Sequence, residues 1–175
     1  MEKLILIRPA IEYEDEIRAF RQEFLDAGDN MPGAGSLREM EIADWVAVHE
    51  LARRRETLPH PEMPVMQQFT LLRENDNRVV GMINIREMNE WYAEYGGNIG
   101  YCVRPSERRR GYATIMLRRA LALCPEFGID RALVLCHASN IASRKTILAS
   151  GGVFERLTRD EGEDEDSERY WITPV

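Results

Sequence analysis

Three consecutive arginines stand where a predicted strand leads into a predicted helix. Arg108, Arg109 and Arg110 are followed by Gly111 and by apolar residues that repeat at helical spacing. A helix N-terminus carries free backbone N–H groups and the positive end of the helix dipole, so cations are normally unfavourable there. An anion bound on the same turn removes this conflict, because backbone amides and guanidinium groups then surround it. The pattern therefore predicts a pyrophosphate-binding loop, in which Gly111 lets the main chain approach closely.

The competing interpretation is a solvated basic patch beside Glu107, which is the usual meaning of an isolated run of arginines. The context favours the anion site, because a strand, a loop and an amphipathic helix occur in the required order. In that context Arg108, Gly111 and Ala113 resemble the Arg-x-x-Gly-x-Ala signature with which the GCN5-related N-acetyltransferase (GNAT) superfamily binds the pyrophosphate of coenzyme A.

A second polar cluster follows the predicted strand 132–136. Asn140 and Ser143 resemble the second cofactor element of the same superfamily, although Asn140 also suits an ordinary helix N-cap. Segments 100–108, 140–143 together with 151–152, and 169–172 resemble a bacterial subgroup described as predicted acetyltransferases. These motifs are confined to residues 100–152 and the last strand, so the first half of the chain indicates a fold and no substrate.

The resemblance implies acetyl-CoA as cosubstrate, no metal ion, and a gap between two splayed parallel strands, here 99–103 and 131–137, the first of which carries a bulge. Backbone N–H groups near Cys102 and Val103 would stabilise the developing oxyanion. The cofactor-binding residues implied by the resemblance are Cys102, Val103, Arg108, Arg109, Arg110, Gly111, Tyr112, Ala113, Thr114, Asn140 and Ser143.

The proton donor is where the sequence departs from the family pattern. The superfamily's usual tyrosine lies seven residues after the asparagine, and this chain has Ile147 there. Tyr170 is the favoured substitute and Tyr112 the other, although such tyrosines more often serve packing. For the base that deprotonates an amine, the candidates are Glu94 and His137, with Glu90 in the same loop as Glu94.

Two functions remain in competition. The first is an N-acetyltransferase in which a primary amine of a small molecule or peptide attacks the thioester directly in a ternary complex. The second is a non-catalytic acyl-CoA-binding sensor, motivated by Ile147 at the usual place of the acid. Formation of an acetylated product would exclude the sensor. The acidic stretch 160–168 could attract a cationic acceptor, or could be a solvated hairpin loop.

The elements that must position these residues follow from hydrophobic periodicity and turn signals. Helices are predicted at 11–27, 37–56, from about 112, and at 140–150, and strands at 4–8, 65–74, 78–86, 99–103, 132–136, 153–157 and 169–173. The unbroken apolar run 132–136 is typical of a central strand with a parallel neighbour. The order predicts the α/β GNAT fold in one domain, 1–175, with a mixed sheet of about seven strands and about four helices.

Composition narrows the class further. The 175 residues carry a net charge of −7, which disfavours a nucleic-acid partner, including an RNA-binding role for the arginine loop. Apolar runs are too short for a membrane span or a secretory signal, and the three cysteines lack metal or disulfide spacing. We therefore expect a cytoplasmic protein without a membrane partner, and the last strands are the candidate surface for a homodimer.

Overall fold

The computed structural model describes residues 2–174, so Met1 and Val175 of the predicted domain lie outside the described residues. Seven strands form two antiparallel sheets. The first has the order β1 (Leu4–Ile7), β2 (Met66–Arg73), β3 (Arg78–Arg86) and β4 (Ile99–Val103). The second contains β5 (Ala132–His137), β6 (Val153–Thr158) and β7 (Ser167–Ile172) in the order β5-β7-β6. The helices are α1 (Glu14–Ala27), α2 (Ile42–Leu51), α3 (Tyr112–Leu123) and α4 (Ile141–Ala149).

Helices cover both faces of the strands, as the predicted α/β fold requires. Met116, Leu117 and Ala120 of the predicted apolar stripe of α3 are fully buried in one core cluster with β3, β5 and Ile147 of α4. A second cluster on the opposite face contains Phe20 of α1. Because the helices bury apolar faces against them, β2, β3 and β5 are mostly buried, whereas residues 153–157 of β6 are exposed. Within residues 2–174, no helix combines the length and the apolar character that crossing a bilayer requires.

The second helix is shorter than the predicted 37–56. Before the helix, the Arg21 guanidinium donates a hydrogen bond to the carbonyl of Met40 at 2.7 Å, and residues 37–40 form turns and a bend. After it, the Thr57 hydroxyl donates to the carbonyl of Leu51 at 2.7 Å, and Arg54 is extended. Side chains thus take over carbonyls at both ends that a longer helix would have used for its own ladder.

The two sheets meet at Asn98, which is buried and directly precedes β4. Its backbone N–H donates to the carbonyl of Leu133 at 2.7 Å, and its side-chain oxygen accepts from the Leu133 N–H at 2.8 Å. Its side-chain amide donates to the carbonyl of Arg86 in β3 at 3.1 Å, while its own carbonyl accepts from the Arg86 N–H at 2.9 Å. One residue therefore joins β3, β4 and β5.

The bulge expected in strand 99–103 is absent, and that expectation was wrong. The pairing of β3 with β4 runs in continuous register from Gly81 opposite Val103 to Ile85 opposite Ile99. Register shifts lie instead at Leu71 and Leu72 in β2, and between Phe154 and Arg156 in β6. The separation of β4 from β5 starts at Asn98. The Asn98 backbone N–H donates to Leu133 of β5, and the Asn98 side-chain amide donates in its place to the Arg86 carbonyl of β3.

Candidate functional site

A cavity of about 1100 Å³ opens where β4 and β5 diverge beyond Asn98. It is bounded by both strands and by the first turns of α3 and α4. The predicted residues that line it are Cys102, Val103, Arg108, Arg109, Gly111, Tyr112, Ala113, Thr114, His137, Asn140 and Ser143. Four predicted residues, Glu90, Glu94, Arg110 and Tyr170, are not among the described residues that line it.

Six consecutive backbone N–H groups at one end of the cavity, those of residues 109–114, donate to no acceptor within residues 2–174. The first amide of the turn that closes a helical bond is that of Ile115, which donates to the Gly111 carbonyl at 3.1 Å. Arg109 and Gly111 both have positive φ angles, 64° and 80°, which turn successive amides toward one side. The start of α3 thus offers free amide donors that suit an anion, and we call residues 109–114 the anion cradle.

The three arginines have different surroundings. Arg108 pairs with Asp29 at 2.7 Å, donates to the Val103 carbonyl at 3.3 Å, and lies over the Phe24 ring. Arg109 borders the cavity. Arg110 faces Glu107 at 3.6 Å, away from the cavity lining. Arg109 therefore has no carboxylate partner within residues 2–174, while the Arg108 guanidinium would be shared between Asp29 and an anion held by the loop.

A cluster of ion pairs around Glu107 holds the arginine loop 108–111 in place. Glu107 is buried, and it accepts from Arg73 at 2.9 Å and pairs with Arg78 at 2.9 Å. Arg73 also donates to the Tyr112 hydroxyl at 3.1 Å and pairs with Asp76. These carboxylates raise the pKa of Arg73, so the guanidinium stays charged. The cluster ties the β2–β3 hairpin to the start of α3 and fixes the loop in its place.

Backbone polarity along β4 determines which amide faces the gap. The Arg104 N–H donates to the Val80 carbonyl at 3.0 Å, toward β3. In a regular antiparallel ladder the amide two residues earlier points the same way, so the Cys102 N–H also faces β3. The Val103 N–H points away from β3 and into the gap. Of the two predicted oxyanion donors, the register therefore directs only that of Val103 toward the cavity.

Two hydroxyl groups meet inside the gap. The Tyr101 hydroxyl lies 2.7 Å from Ser143 Oγ, and both residues line the cavity. Burial raises the pKa of Tyr101 to about 12, so this phenol carries its proton at neutral pH. Asn140 acts as the N-cap of α4, where its side chain accepts from the Ser143 N–H at 3.0 Å. The cap holds Ser143 in position beside Tyr101.

Tyr170 is buried in β7, outside the cavity lining. Its hydroxyl donates to Glu168 at 2.7 Å, and Glu168 is itself paired with Arg144 at 2.6 Å. Burial, followed by the Glu168 hydrogen bond, raises the pKa of Tyr170 to about 12. The structure thus places this hydroxyl in an ion-pair network behind the cavity.

Of the two predicted bases, only His137 lines the cavity. His137, at the end of β5, lines the cavity, with Nδ1 3.4 Å from the Ser167 hydroxyl and 3.9 Å from Glu165. Glu94 lies outside the cavity lining and accepts from Arg156 at 2.6 Å and from Thr158 at 2.7 Å. The Arg156 guanidinium lowers the pKa of Glu94, which makes this carboxylate a weaker base.

Other cavity residues were not predicted as site residues. Asp160 and Glu163 of the acidic stretch line the mouth, and Asp160 accepts from the Trp91 indole at 3.1 Å. Arg86 and Tyr95 line the same side of the cavity. The turn-rich stretch 29–36 and the aromatic loop 89–97 were the available sequence signals, but only the fold shows that both border one cavity.

The family model of the acetyltransferase (GNAT) domain matches residues 5–153, and this chain therefore belongs to the GNAT acetyltransferase family. A comparison with curated protein sequences finds no match. Among solved structures, the fold is similar to the microcin C7 self-immunity acetyltransferase MccE in complex with acetyl-CoA and AMP, with 16% identity, a TM-score of 0.70 and coverage of 98% of this chain and 92% of that one.

Two further structures show the same fold at low identity. Mycobacterium smegmatis RimJ in complex with CoA-disulfide has 20% identity and a TM-score of 0.69, covering 97% of this chain and 81% of that one. A dodecameric spermidine N-acetyltransferase from Vibrio cholerae has 13% identity and a TM-score of 0.64, covering 98% of this chain and 95% of that one. The predicted fold class, seven strands and four helices in the GNAT arrangement, is confirmed.

Proposed function

We propose that this protein is an acetyl-CoA-dependent N-acetyltransferase that acts on a primary amine of a small molecule or peptide by direct attack in a ternary complex. The observation that carries the proposal is the row of six amides at residues 109–114 that have no acceptor among residues 2–174, at the end of a cavity that continues between β4 and β5. A pyrophosphate on that cradle leaves the gap for the extended pantetheine arm, which leads toward Tyr101 and Val103.

Protein groups along the gap suit each charge change of the reaction. The amine nitrogen forms a bond to the thioester carbon, and the Val103 N–H stabilises the oxyanion that develops. His137 takes the proton that the amine loses, since it lines the cavity while Glu94 is tied to Arg156. As the C–S bond breaks, the thiolate receives a proton from the hydroxyl pair of Tyr101 and Ser143.

The acceptor side of the cavity is suited to an ammonium group. Asp160 and Glu163 place negative charge at the mouth, and Trp91 presents an aromatic surface beside them. These groups attract a cationic amine and guide it inward. These residues support an amine as the acceptor, which agrees with the amide bond that the proposed reaction forms.

The sensor remains the alternative, and one observation favours it. Ile147, at the usual place of the acid, is 0% exposed inside the apolar core, so α4 presents no hydroxyl from that position. Turnover decides between the two, because a sensor binds acyl-CoA and releases no acetylated amine.

The predicted homodimer stays a prediction. β6 is the edge strand of its sheet, and Val153, Phe154 and Leu157 on it are half or more exposed. An exposed edge with apolar side chains supports pairing with a second chain there.

The first experiment measures thermal shifts with acetyl-CoA, CoA and dephospho-CoA for the native protein and for two matched variants. Arg108→Gln and Arg110→Gln each remove one charge from the same loop, but only Arg108 lines the cavity. A ligand that binds the folded state alone raises the melting temperature by mass action. We expect Arg108→Gln to weaken CoA binding about tenfold, since it removes a charge-assisted hydrogen bond, and Arg110→Gln to leave it within about twofold.

Equal losses in both variants would show that the loop acts only through its general charge. No shift with millimolar acetyl-CoA would overturn the proposed function itself. A shift without release of CoA thiol across a broad amine panel would establish the sensor.

A further inference from the structure

Arg86, the last residue of β3, is held rigidly beside the cavity. Its Nε donates to the Gly97 carbonyl at 2.9 Å, one terminal nitrogen to the Gly96 carbonyl at 2.8 Å, and the other to the Asn84 side-chain oxygen at 3.2 Å. The guanidinium also lies 4.4 Å from the centre of the Tyr92 ring. Four contacts therefore fix its orientation while it lines the cavity.

The charge of Arg86 has no carboxylate partner within residues 2–174. By contrast, the three arginines with buried side chains, Arg73, Arg104 and Arg169, each form ion pairs with at least two carboxylates, while Arg86 is only partly buried. Burial lowers the pKa of Arg86, which reflects the cost of keeping a cation away from water without a counter-ion. A bound anion would relieve that cost.

The guanidinium keeps two hydrogen-bond donors for such an anion. Arginine has five N–H groups, and the three protein contacts of Arg86 use one on each nitrogen. The remaining two N–H groups sit on the two terminal nitrogens, and none of the described residues accepts them. A carboxylate can take both, because its two oxygens match the spacing of the guanidinium fork.

The position of Arg86 along the gap limits the size of the acceptor. A Cβ built on Gly100 would lie 3.4 Å from its Nη1, so the guanidinium stands next to Gly100 on β4. Gly100 and Val103 are three residues apart, about 10 Å along a strand. Of these roughly 10 Å, the hydrogen bond from Arg86 to the carboxylate takes about 3 Å. The approach of the amine nitrogen to the thioester carbon takes about another 3 Å, so about 4 Å remain between the carboxylate and the amine of the acceptor.

We propose that Arg86 binds a carboxylate of the acceptor, and that the acceptor is a small amino acid whose free carboxylate lies one or two carbons from its amine. The inference rests on the proposed acetyltransferase function. It places the carboxylate at Arg86 and the amine in the gap, facing the Val103 amide.

The test compares acetyl-CoA-dependent turnover of free amino acids, glycine, β-alanine, alanine and serine among them, with turnover of their amides. Removing the carboxylate charge while keeping the amine isolates the contact with Arg86. For the native protein we expect kcat/KM at least tenfold higher for the best acid than for its amide, as for a lost charge-assisted pair. Arg86→Gln removes this preference, and Arg86→Lys, which keeps the charge without the fork, retains part of it.

Arg131→Gln is the matched control, since Arg131 also stacks on an aromatic ring, Trp171, at 4.8 Å but does not line the main cavity. It keeps the acid preference. Thermal shifts with acetyl-CoA stay unchanged in Arg86→Gln, because the residue lies outside the anion cradle.

Amides as good as acids in the native protein, or a preference that survives Arg86→Gln, would overturn the assignment. So would turnover limited to amines without a carboxylate. If acetyl-CoA binds but no amino acid is acetylated or raises the melting temperature in the presence of CoA, the Arg86 proposal also fails. Absence of any acetyl-CoA shift refutes the proposed function instead.

Discussion

The hydroxyl pair of Tyr101 and Ser143 lies in the gap between β4 and β5, where the proposed reaction would release a thiolate that needs a proton. Tyr101 reaches it from β4 and Ser143 from α4, and their oxygens are 2.7 Å apart. Tyr170, the favoured donor on sequence grounds, directs its hydroxyl to Glu168. The two tyrosines have similarly raised pKa values, about 12, so position and not acidity separates them.

Tyr101→Phe and Tyr170→Phe form a matched test, because each removes one hydroxyl and keeps a ring. We expect Tyr101→Phe to lower kcat about 100-fold, the usual contribution of a general acid, with the KM for acetyl-CoA changed less than about threefold. Tyr170→Phe is expected to keep kcat within about threefold. Steady-state kinetics with a saturating amine measures both, and a larger loss in Tyr170→Phe would restore that residue as the donor.

Local sequence was enough to propose residues 108–114 as an anion loop, and not enough to predict the residues that hold this loop in place. The features that suit residues 108–114 to an anion, namely the helix N-terminus, the glycine and the arginines, are neighbours in the sequence and can be recognised together. Glu107 depends on Arg73, which is 34 residues away, and Arg86 differs from other arginines only through what the folded chain leaves unpaired around it. Such properties follow from tertiary packing, which one sequence does not display.

At the scale of elements, the site depends on how β4 parts from β5. Asn98 holds the strands together at one point through Leu133, and the gap opens beyond it. The strands 99–103 and 132–136 could be predicted from hydrophobic patterning and Pro105. The predicted central position of 132–136 beside a parallel strand was wrong, because β5 pairs antiparallel with β7 at the edge of its sheet and forms no ladder with β4. The contacts by which Asn98 joins the two sheets could not be predicted, because an asparagine in a glycine-rich segment is typical of a turn as well as of a sheet connection.

Asn98→Ala tests the joint. It leaves the buried Leu133 N–H and the partly buried Arg86 carbonyl without partners, which costs about 2–4 kcal/mol of unfolding free energy. Asn75→Ala is the control, since exposed Asn75 accepts one hydrogen bond, from the Lys3 N–H at 2.9 Å, and should cost less than about 1 kcal/mol. Urea unfolding measures both, and equal costs would show that Asn98 does not join the sheets.

At the scale of the whole molecule, the net charge of −7 and the ion-pair clusters make stability depend on pH. Carboxylates such as Glu23 and Glu168 have lowered pKa values, Glu168 mainly through the Arg144 hydrogen bond and Glu23 through Ser106 and Arg104, which offset its burial. Their contributions are therefore present at neutral pH and are lost only as pH falls below about 4.5. Any loss of stability in a milder range must come from another kind of group.

His49 is that group. It is buried in α2, its ring nitrogen lies 2.7 Å from the Trp45 carbonyl, and burial lowers its pKa below the usual 6.5. Above pH 6.5 the imidazole is neutral in both the folded and the unfolded chain, so its full contribution is present. Below pH 6.5 the unfolded chain binds a proton that the folded chain resists, and the unfolding free energy falls by up to about 1.4 kcal/mol per pH unit.

His49→Gln should remove this slope between pH 6.5 and the folded-state pKa of His49, whatever the variant does to stability at pH 8. His60→Gln is the control, because His60 is exposed and its replacement should leave the slope as in the native protein. Urea midpoints measured from pH 8 to pH 5 give the slopes directly. A native slope that persists in His49→Gln would show that another group is responsible, and a loss in His60→Gln would show that exposed histidines set the acid sensitivity.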